Sequence, residues 1–146
     1  MQAPAEITRL ETITWPQTIG DVMTRQPVAV RPDQPLSAAH AIMRSLGVRH
    51  LPVVEQQRVV GVVSQGDLRL LESIDRVDAC RVAVEEAMAP HLYMVGPEEP
   101  LADVLATMLE RHIGAVLVAD RGRLVGIFTA NDAVVVLRRL LVSHEE

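Results

Sequence analysis

The chain has 146 residues, of which 49% are apolar but only 2% aromatic, and its formal net charge is −5, so it can build an aliphatic core. An acidic chain with few aromatic residues lacks the basic face and stacking side chains that nucleic-acid duplexes require, and it does not suit an anionic membrane. A single cysteine, Cys80, excludes a disulfide framework, and with no apolar leader or spanning run we expect a cytoplasmic protein.

The first predicted elements are short. Residues 19–23 fit a brief helical segment, in which Thr18 and Asp21 have the spacing of a capping box. A short extended run follows at 28–31 and predicts the first strand. These elements lead into a longer helical pattern.

Pro35 opens that helix, because proline is tolerated in the first turn, and Gly47 suits its C-terminal end. The apolar residues between them recur with the period of a helix that buries one face. Strands at 51–54 and 59–63 are joined by a short polar turn, which predicts a hairpin. A last helix is expected directly after Ser64.

The same elements recur at an offset of 65 residues, as from Gly61 to Gly126, and no gap is needed across residues 21–67. Further identical pairs at this offset are Met23 and Met88, Val30 and Val95, Pro32 and Pro97, Pro35 and Pro100, Leu36 and Leu101, Met43 and Met108, and Arg58 and Arg123. A single register kept over this length indicates an internal duplication.

The second unit therefore repeats the plan, with an extended run at 93–96, a helix opened by Pro100, and hairpin strands at 115–119 and 124–128. One unit is too small to cover its own sheet. We expect two β-α-β-β-α repeats, packed about a pseudo-twofold axis as interdependent halves of one domain. The predicted boundaries are an N-terminal extension at 1–17, a first repeat at 18–79 and a second repeat at 80–146.

Each hairpin ends in the same motif, "VVGVVSQGDL" in the first unit and "LVGIFTANDA" in the second. A hydroxyl residue followed three places later by an aspartate fits a helix N-terminus, where Ser64 with Asp67, and Thr129 with Asp132, would form capping boxes. The same groups suit a ligand. A helix N-terminus attracts phosphate, a carboxylate accepts from both ribose hydroxyls, and a strand glycine permits close approach to the backbone.

The stretch "VMTRQPVAVRPDQPLSAAHAIMRSLGVRHLPVVEQQRVVGVVSQGDL" resembles a CBS domain, named after cystathionine β-synthase, in its "LPVV" strand, its strand glycine and its terminal Ser-x-x-Asp. "EEAMAPHLYMVGPEEPLADVLATMLERHIGAVLVADRGRLVGIFTANDA" resembles a second one. The resemblance covers about residues 19–141 and implies an α/β (α+β) fold. Such a tandem pair, a Bateman module, typically binds adenosine-containing ligands such as AMP, ADP, ATP or S-adenosylmethionine and regulates other proteins, and it requires no cofactor.

The resemblance also implies two binding sites, whereas the spacing of the histidines and acidic residues predicts neither a catalytic group nor a metal site. In each binding site, the base would lie between the first strand and the strand after the long helix, and the aspartate would hold the ribose. The first site would contain Thr24, Val28, Val48, Arg49, Ser64 and Asp67, and the second Tyr93, Ile113, Gly114, Thr129 and Asp132. For Val28, Val48 and Ile113, ordinary core packing is the alternative.

The two sites are expected to differ. The second repeat has Ala89 where the first has Thr24, and "GAVLV" where the first has "RHLPV". By analogy with the family, Arg49 and His50 of the first repeat would reach the phosphate of a nucleotide held by Asp132. In the alternative, Arg49 packs along apolar surface or pairs with an acid.

We expect a standalone regulatory protein that signals to an effector on another chain. The helices in "LRLLESI" and "AVVVLRRLLV" hold more apolar residues than one buried face needs, which predicts a homodimer. The alternative is a ligand-free dimerisation scaffold with the same fold. The histidines form no HExxH pair, His40 is expected to be structural, and no phosphate-binding glycine loop is present, so we do not expect an enzyme.

Overall fold

The computed structural model describes residues 15–75, 78–89 and 92–145. Most of the predicted N-terminal extension, residues 1–14, lies outside the described residues. The first half consists of a 3-10 turn at Ile19–Asp21, β1 (Thr24–Arg25), α1 (Leu36–Leu46), β2 (His50–Glu55), β3 (Arg58–Ser64) and α2 (Gln65–Asp75). The second half consists of a 3-10 turn at Val84–Glu86, β4 (Met94–Val95), α3 (Leu101–Arg111), β5 (Ala115–Asp120), β6 (Arg123–Thr129) and α4 (Ala130–Glu145).

The ends of these elements follow local sequence chemistry. As predicted, α1 begins directly after Pro35 and ends at Gly47, whose φ of 67° is left-handed. The equivalent helix α3 ends at His112, also left-handed at φ 54°. Both predicted hairpins are confirmed. In the turn from β2 to β3 both central residues have positive φ, as two-residue hairpin turns with the favoured twist require, and the same holds from β5 to β6.

The two sheets share one plan. One has four strands in the order β1-β6-β5-β4, in which β4 runs parallel to β5 and the other neighbours are antiparallel. The other contains β2 and β3, and a single bridge extends it at each edge: Val30 pairs parallel with Val53, and Ala89 pairs antiparallel with Val62. The first strand predicted at 28–31 is therefore reduced to one bridge at Val30.

Each half of the chain completes the sheet of the other half. Strand β1 belongs to the first half but pairs with β6, with Thr24 opposite Ile127. Ala89 belongs to the second half but pairs with β3. The hydrophobic cores are shared in the same way. Val84 of the second half is buried in the core of the first half, and Ile19 of the first half is buried in the core of the second half. The architecture confirms two β-α-β-β-α repeats related by a pseudo-twofold axis, with halves that depend on each other.

The two strand glycines make room for methionines from the opposite half. A Cβ atom built on Gly61 would lie 2.6 Å from the sulfur of Met88. A Cβ atom on Gly126 would collide with the sulfur of Met23 and would lie 3.1 Å from the carbonyl oxygen of Thr24. The group that approaches each strand closely is thus a side chain of the protein itself, which corrects the suggestion that the glycines leave space for a ligand.

This packing makes Gly126→Ala more destabilising than Gly61→Ala. A methionine side chain can move aside, but the carbonyl oxygen of Thr24 belongs to the paired strand β1 and cannot move without loosening that pairing. Overpacking of this kind costs about 1–3 kcal/mol of the free energy of unfolding. Chemical denaturation of both variants measures the difference. Gly96→Ala is the control, because a Cβ atom there meets nothing within 4 Å. Equal losses for Gly61→Ala and Gly126→Ala would contradict the account.

Candidate functional site

Each hairpin leads into a helix whose N-terminus is held by a hydroxyl and a carboxylate. In the first half, the Ser64 N–H donates to Asp67 Oδ2 at 2.9 Å and the Asp67 N–H donates to Ser64 Oγ at 3.0 Å. In the second half, the Thr129 N–H donates to Asp132 Oδ2 at 2.8 Å and the Asp132 N–H donates to Thr129 Oγ1 at 3.3 Å. The hydrogen bonds expected from the capping interpretation are therefore present at both ends.

Capping does not use the whole carboxylate. Within the described part of the chain, the hydrogen bonds accepted by Asp67 and Asp132 end on Oδ2, including a further one at 3.1 Å from the Thr129 hydroxyl to Asp132. The second oxygen of each carboxylate can accept hydrogen bonds from a ligand. Capping and ligand binding are thus compatible in the same residue.

A cavity of about 690 Å³ opens beside the N-terminus of α4. This volume lies within the usual range of about 300–1,000 Å³ for small-molecule sites. The cavity joins the loop before β2, the segment after β1 and the start of α4, so both halves of the chain form its wall. It is lined by Thr24, Gln26, Pro27, Val28, Leu46, Gly47, Val48, Arg49, His50, Leu51, Pro52, Gly114, Ile127, Thr129, Ala130, Asn131 and Asp132.

The cavity regroups the site residues expected from the sequence. Eight of them line it: Thr24, Val28, Val48, Arg49, His50, Gly114, Thr129 and Asp132. The other four do not, namely Ser64, Asp67, Tyr93 and Ile113. The expected grouping of Thr24, Val28 and Val48 with Asp67 is corrected, and so is the place of Arg49 in that group. Arg49 and His50 line the cavity beside Asp132, towards which the analogy with the family directed them. The reason for the regrouping is the exchange of strands, because β1 runs beside β6 and carries the segment that follows it to the cap of the opposite half.

Val28 and Val48, for which core packing was the alternative to ligand binding, are not buried in the core. Val28 is 48% exposed and Val48 38% exposed. Such open apolar surface beside polar groups is typical of a binding pocket. Leu46, at the C-terminal end of α1, adds a third apolar side chain to this wall and is 50% exposed. Leu46 is not among the expected site residues, because its helical spacing predicts a place on the buried face of α1.

Two polar residues that line the cavity, Asn131 and Gln26, are also absent from the site expected from the sequence. Asn131 directly precedes Asp132, so its place beside the motif is the signal that would have found it. Gln26 follows β1 with a left-handed φ of 49°, and its N–H donates to the Val125 carbonyl at 3.2 Å. No pattern in the sequence points to that conformation, because it arises from the pairing of β1 with β6.

Arg49 and His50 lie where the first half of the chain meets the second. The Arg49 carbonyl accepts a hydrogen bond of 2.8 Å from the first residue of α2, Gln65, while the exposed Arg49 side chain lines the cavity. A Cβ atom on Gly114 would lie 3.5 Å from His50 Nε2, so the imidazole packs against the backbone of the opposite repeat. Burial lowers the pKa of His50 below its usual 6.5, the Asp67 carboxylate opposes this shift, and Arg49 adds to it.

Among the described residues, no cluster of three or more His, Cys, Asp or Glu side chains could hold a metal ion. His40 contacts Glu72 at 2.6 Å and ties α1 to α2, which agrees with its expected structural role. None of the helices within the described ranges combines the length and the apolar character that a membrane crossing needs.

Comparison with known proteins identifies the family. A family model for the CBS domain matches the chain twice, at residues 19–72 and 84–139. The chain belongs to the CBS domain family. Both matches lie inside the predicted repeats 18–79 and 80–146, whose outer limits stay predictions.

Individual relatives of this CBS pair agree with that assignment. A CBS domain-containing protein of Bacillus subtilis, YhcV, is 30% identical over 118 residues, which is 81% of this chain and 84% of YhcV. A Vibrio cholerae structure named for acetoin utilization, AcuB, shares 31% identity with a TM-score of 0.79, over 88% of this chain and 95% of that one. The structure of CBSX2 in complex with AMP shares 27% identity with a TM-score of 0.72, over 86% of this chain and 99% of CBSX2.

The lowered pKa of His50 predicts a pH-dependent stability of the CBS pair. Since the folded-state pKa lies below the unfolded value of 6.5, the unfolded chain binds more protons between the two values. The free energy of unfolding should therefore decrease as the pH falls through 6.5 towards the folded-state pKa, and His50→Gln should weaken this dependence.

Urea denaturation at pH values above and below 6.5 tests this expectation. His112→Asn is the control, because His112 is exposed and asparagine tolerates its left-handed backbone. A pH dependence that is the same in His50→Gln and in the unmodified chain would show that another group is responsible.

Proposed function

We propose that this CBS pair is a regulatory protein of the cytoplasm that binds an adenosine-containing nucleotide and signals its level to an effector protein. The observation that carries the proposal is the cavity between the halves. It places the Asp132 carboxylate, the N-terminus of α4 and an exposed apolar wall around one volume of nucleotide size. AMP, ADP, ATP and S-adenosylmethionine are the candidate ligands.

Each part of a nucleotide has a matching group in the cavity. A flat base suits the exposed side chains of Val28 and Val48, with backbone groups available for its polar edge. Ribose hydroxyls suit the second oxygen of Asp132. A phosphate suits the guanidinium of Arg49, the one arginine among the described residues that line this cavity, and the α4 N-terminus adds a favourable dipole.

The relatives support a role in binding rather than in catalysis. CBSX2, which matches almost over its full length, has been solved with AMP. YhcV, which this chain matches over 84% of its length, is named for its CBS domains alone. We therefore propose that the chain itself is not an enzyme and that its effector is a separate protein.

A ligand-free scaffold is the second candidate, and the complete capping boxes favour it. In both halves the hydroxyl and the aspartate already satisfy each other's backbone N–H groups. In a scaffold these residues would serve the helix alone, and thermal stability would not respond to adenosine ligands. A ligand at 100 times its Kd stabilises by about 2.7 kcal/mol, so a thermal-shift panel separates the two candidates.

Asp132→Ala should abolish AMP binding while the protein stays folded. Loss of a helix cap costs about 1 kcal/mol of stability, which a folded domain tolerates, whereas loss of the ribose acceptor removes the central polar contact. Isothermal titration calorimetry with AMP measures the affinity. Asp21→Ala is the matched control, because Asp21 caps the first turn in the same way, through the N–H groups of Thr18 and Gln17, but does not line the cavity. Undiminished affinity in Asp132→Ala would refute the ribose role and favour the scaffold.

Arg49→Ala should weaken AMP binding by about tenfold or more and leave adenosine binding almost unchanged. A hydrogen bond to a charged group contributes about 1.5–3 kcal/mol, and only AMP offers that group. Arg44→Ala serves as the control, since Arg44 is exposed on α1 but does not line this cavity. Equal losses for AMP and adenosine would mean that Arg49 supports the cavity without contacting phosphate.

We also propose that the protein forms a homodimer through α2 and α4. Val134, Leu137 and Leu141 lie at helical spacing on α4, and each is more than half exposed. Leu70 and Ile74 on α2 are equally exposed. A monomer rarely leaves this much apolar helix surface in water, and twofold pairing of two copies is the simplest way to cover it.

Light scattering should report twice the chain mass of 16.0 kDa at micromolar concentration. Leu137→Glu should shift the protein towards the monomer, because it places a charge in the apolar interface. Leu109→Glu is the control, since Leu109 is also a highly exposed leucine but lies on α3. A mass of one chain for the unmodified protein would contradict the dimer.

A further inference from the structure

The two halves can be compared position by position because their strands keep one register. The pairing of Thr24 with Ile127 is equivalent to that of Ala89 with Val62. Likewise, the pairing of Val30 with Val53 is equivalent to that of Val95 with Val118. At the same offset, Tyr93 stands in the second half where Val28 stands in the first, and Arg111 stands where Leu46 stands. The Asp67 end of the molecule is thus bordered by different side chains from the Asp132 end.

At the Asp132 end the small side chains leave the cavity open. Val28 and Leu46 line it, and each is about half exposed. Val28 follows β1, and Leu46 is the last residue of α1. Together with Val48 they form the apolar part of the cavity wall, which a flat base would contact.

At the Asp67 end the equivalent positions carry an aromatic ring and a guanidinium in contact with each other. The Arg111 guanidinium carbon lies 6.0 Å from the centre of the Tyr93 ring, at cation–π distance. The half-buried Tyr93 also packs against the core cluster of the second half, which includes Met108 of α3. The pair therefore spans the space between the segment before β4 and the end of α3.

The Tyr93 backbone is fixed by a hydrogen bond, and the exposed Arg111 side chain carries its charge where the helix favours it. The Tyr93 carbonyl accepts a hydrogen bond of 3.0 Å from the Leu117 N–H, which fixes its backbone to β5. Arg111 is in the last turn of α3, where the helix dipole favours a positive charge. Neither side chain has a counterpart at the Asp132 end that could make the same contact.

We propose that the Tyr93–Arg111 pair closes the nucleotide site at the Asp67 end, so that each chain binds one nucleotide, in the Asp132 cavity, and Asp67 serves only as a helix cap. The inference rests on the proposed nucleotide binding and specifies its stoichiometry. It assigns Tyr93 and Arg111 the role of excluding a ligand, in place of the contact that the resemblance implied for Tyr93.

Exchanging the residues between the two ends tests the proposal. Calorimetric titration of the full chain with AMP should give one site per chain. Tyr93→Val combined with Arg111→Leu gives the Asp67 end the same residues at these two positions as the open end. It should raise the stoichiometry to two when adenosine is the titrant, because adenosine does not need the arginine that Gly114 replaces at the Asp67 end. Adding Asp67→Ala to that double variant should return it to one, because the new site needs a ribose acceptor.

The reciprocal exchange tests the same idea at the other end. Val28→Tyr combined with Leu46→Arg should weaken AMP binding at the Asp132 cavity by tenfold or more. Circular dichroism melting confirms that each variant is folded. A purely structural role of the Tyr93–Arg111 pair would change the melting temperature but not the number of sites.

The outcomes separate this inference from the function on which it rests. Two sites in the unmodified chain, or a stoichiometry that stays at one in the folded Tyr93→Val, Arg111→Leu variant, would overturn the closure alone. Two sites of which one loses affinity on Tyr93→Val would show that the ring stacks on the base. The absence of AMP and adenosine binding in the unmodified chain would overturn the proposed function, and the closure with it.

Discussion

Each CBS repeat in this chain completes its sheet with a short segment of the other repeat, and the rest of the structure depends on this exchange. The pairing of Thr24 with Ile127 and that of Ala89 with Val62 cross the boundary between the halves twice. A methionine that precedes each crossing segment packs on the glycine of the opposite hairpin. Since neither half has a complete sheet or core alone, the two must fold together, and the duplicated sequence forms one domain.

The exchange also creates the candidate site. Because β1 lies beside β6, the chain that leaves β1 passes the N-terminus of α4, where Thr129 and Asp132 form their cap. The cavity therefore combines a capping aspartate from one repeat with an apolar wall from the other. The aspartate uses one oxygen for the helix, so in the proposed site its other oxygen can accept from a ligand, and a helix cap and a ligand-binding group are the same residue.

Much of the fold follows from local patterns in the sequence. The 65-residue offset predicts the duplication, the proline and glycine positions predict the limits of α1, and the short polar turns between apolar strands predict both hairpins. The partners of Thr24 and Ala89 do not follow, because a strand of one or two residues carries no periodic signal and its pairing is set by distant packing. The error in the site has the same origin: the sequence shows what each repeat contains, but not that Val28 and Val48 face Asp132 rather than Asp67.

The central claim is that the cavity between the repeats is a nucleotide site built on Asp132, and a crystal structure of the protein with AMP tests it most directly. The account predicts AMP inside the cavity, with its base against Val28 and Val48, a ribose hydroxyl within hydrogen-bond distance of Asp132 and the phosphate facing Arg49. An empty cavity at saturating AMP, or AMP bound at a surface remote from Asp132, would contradict it.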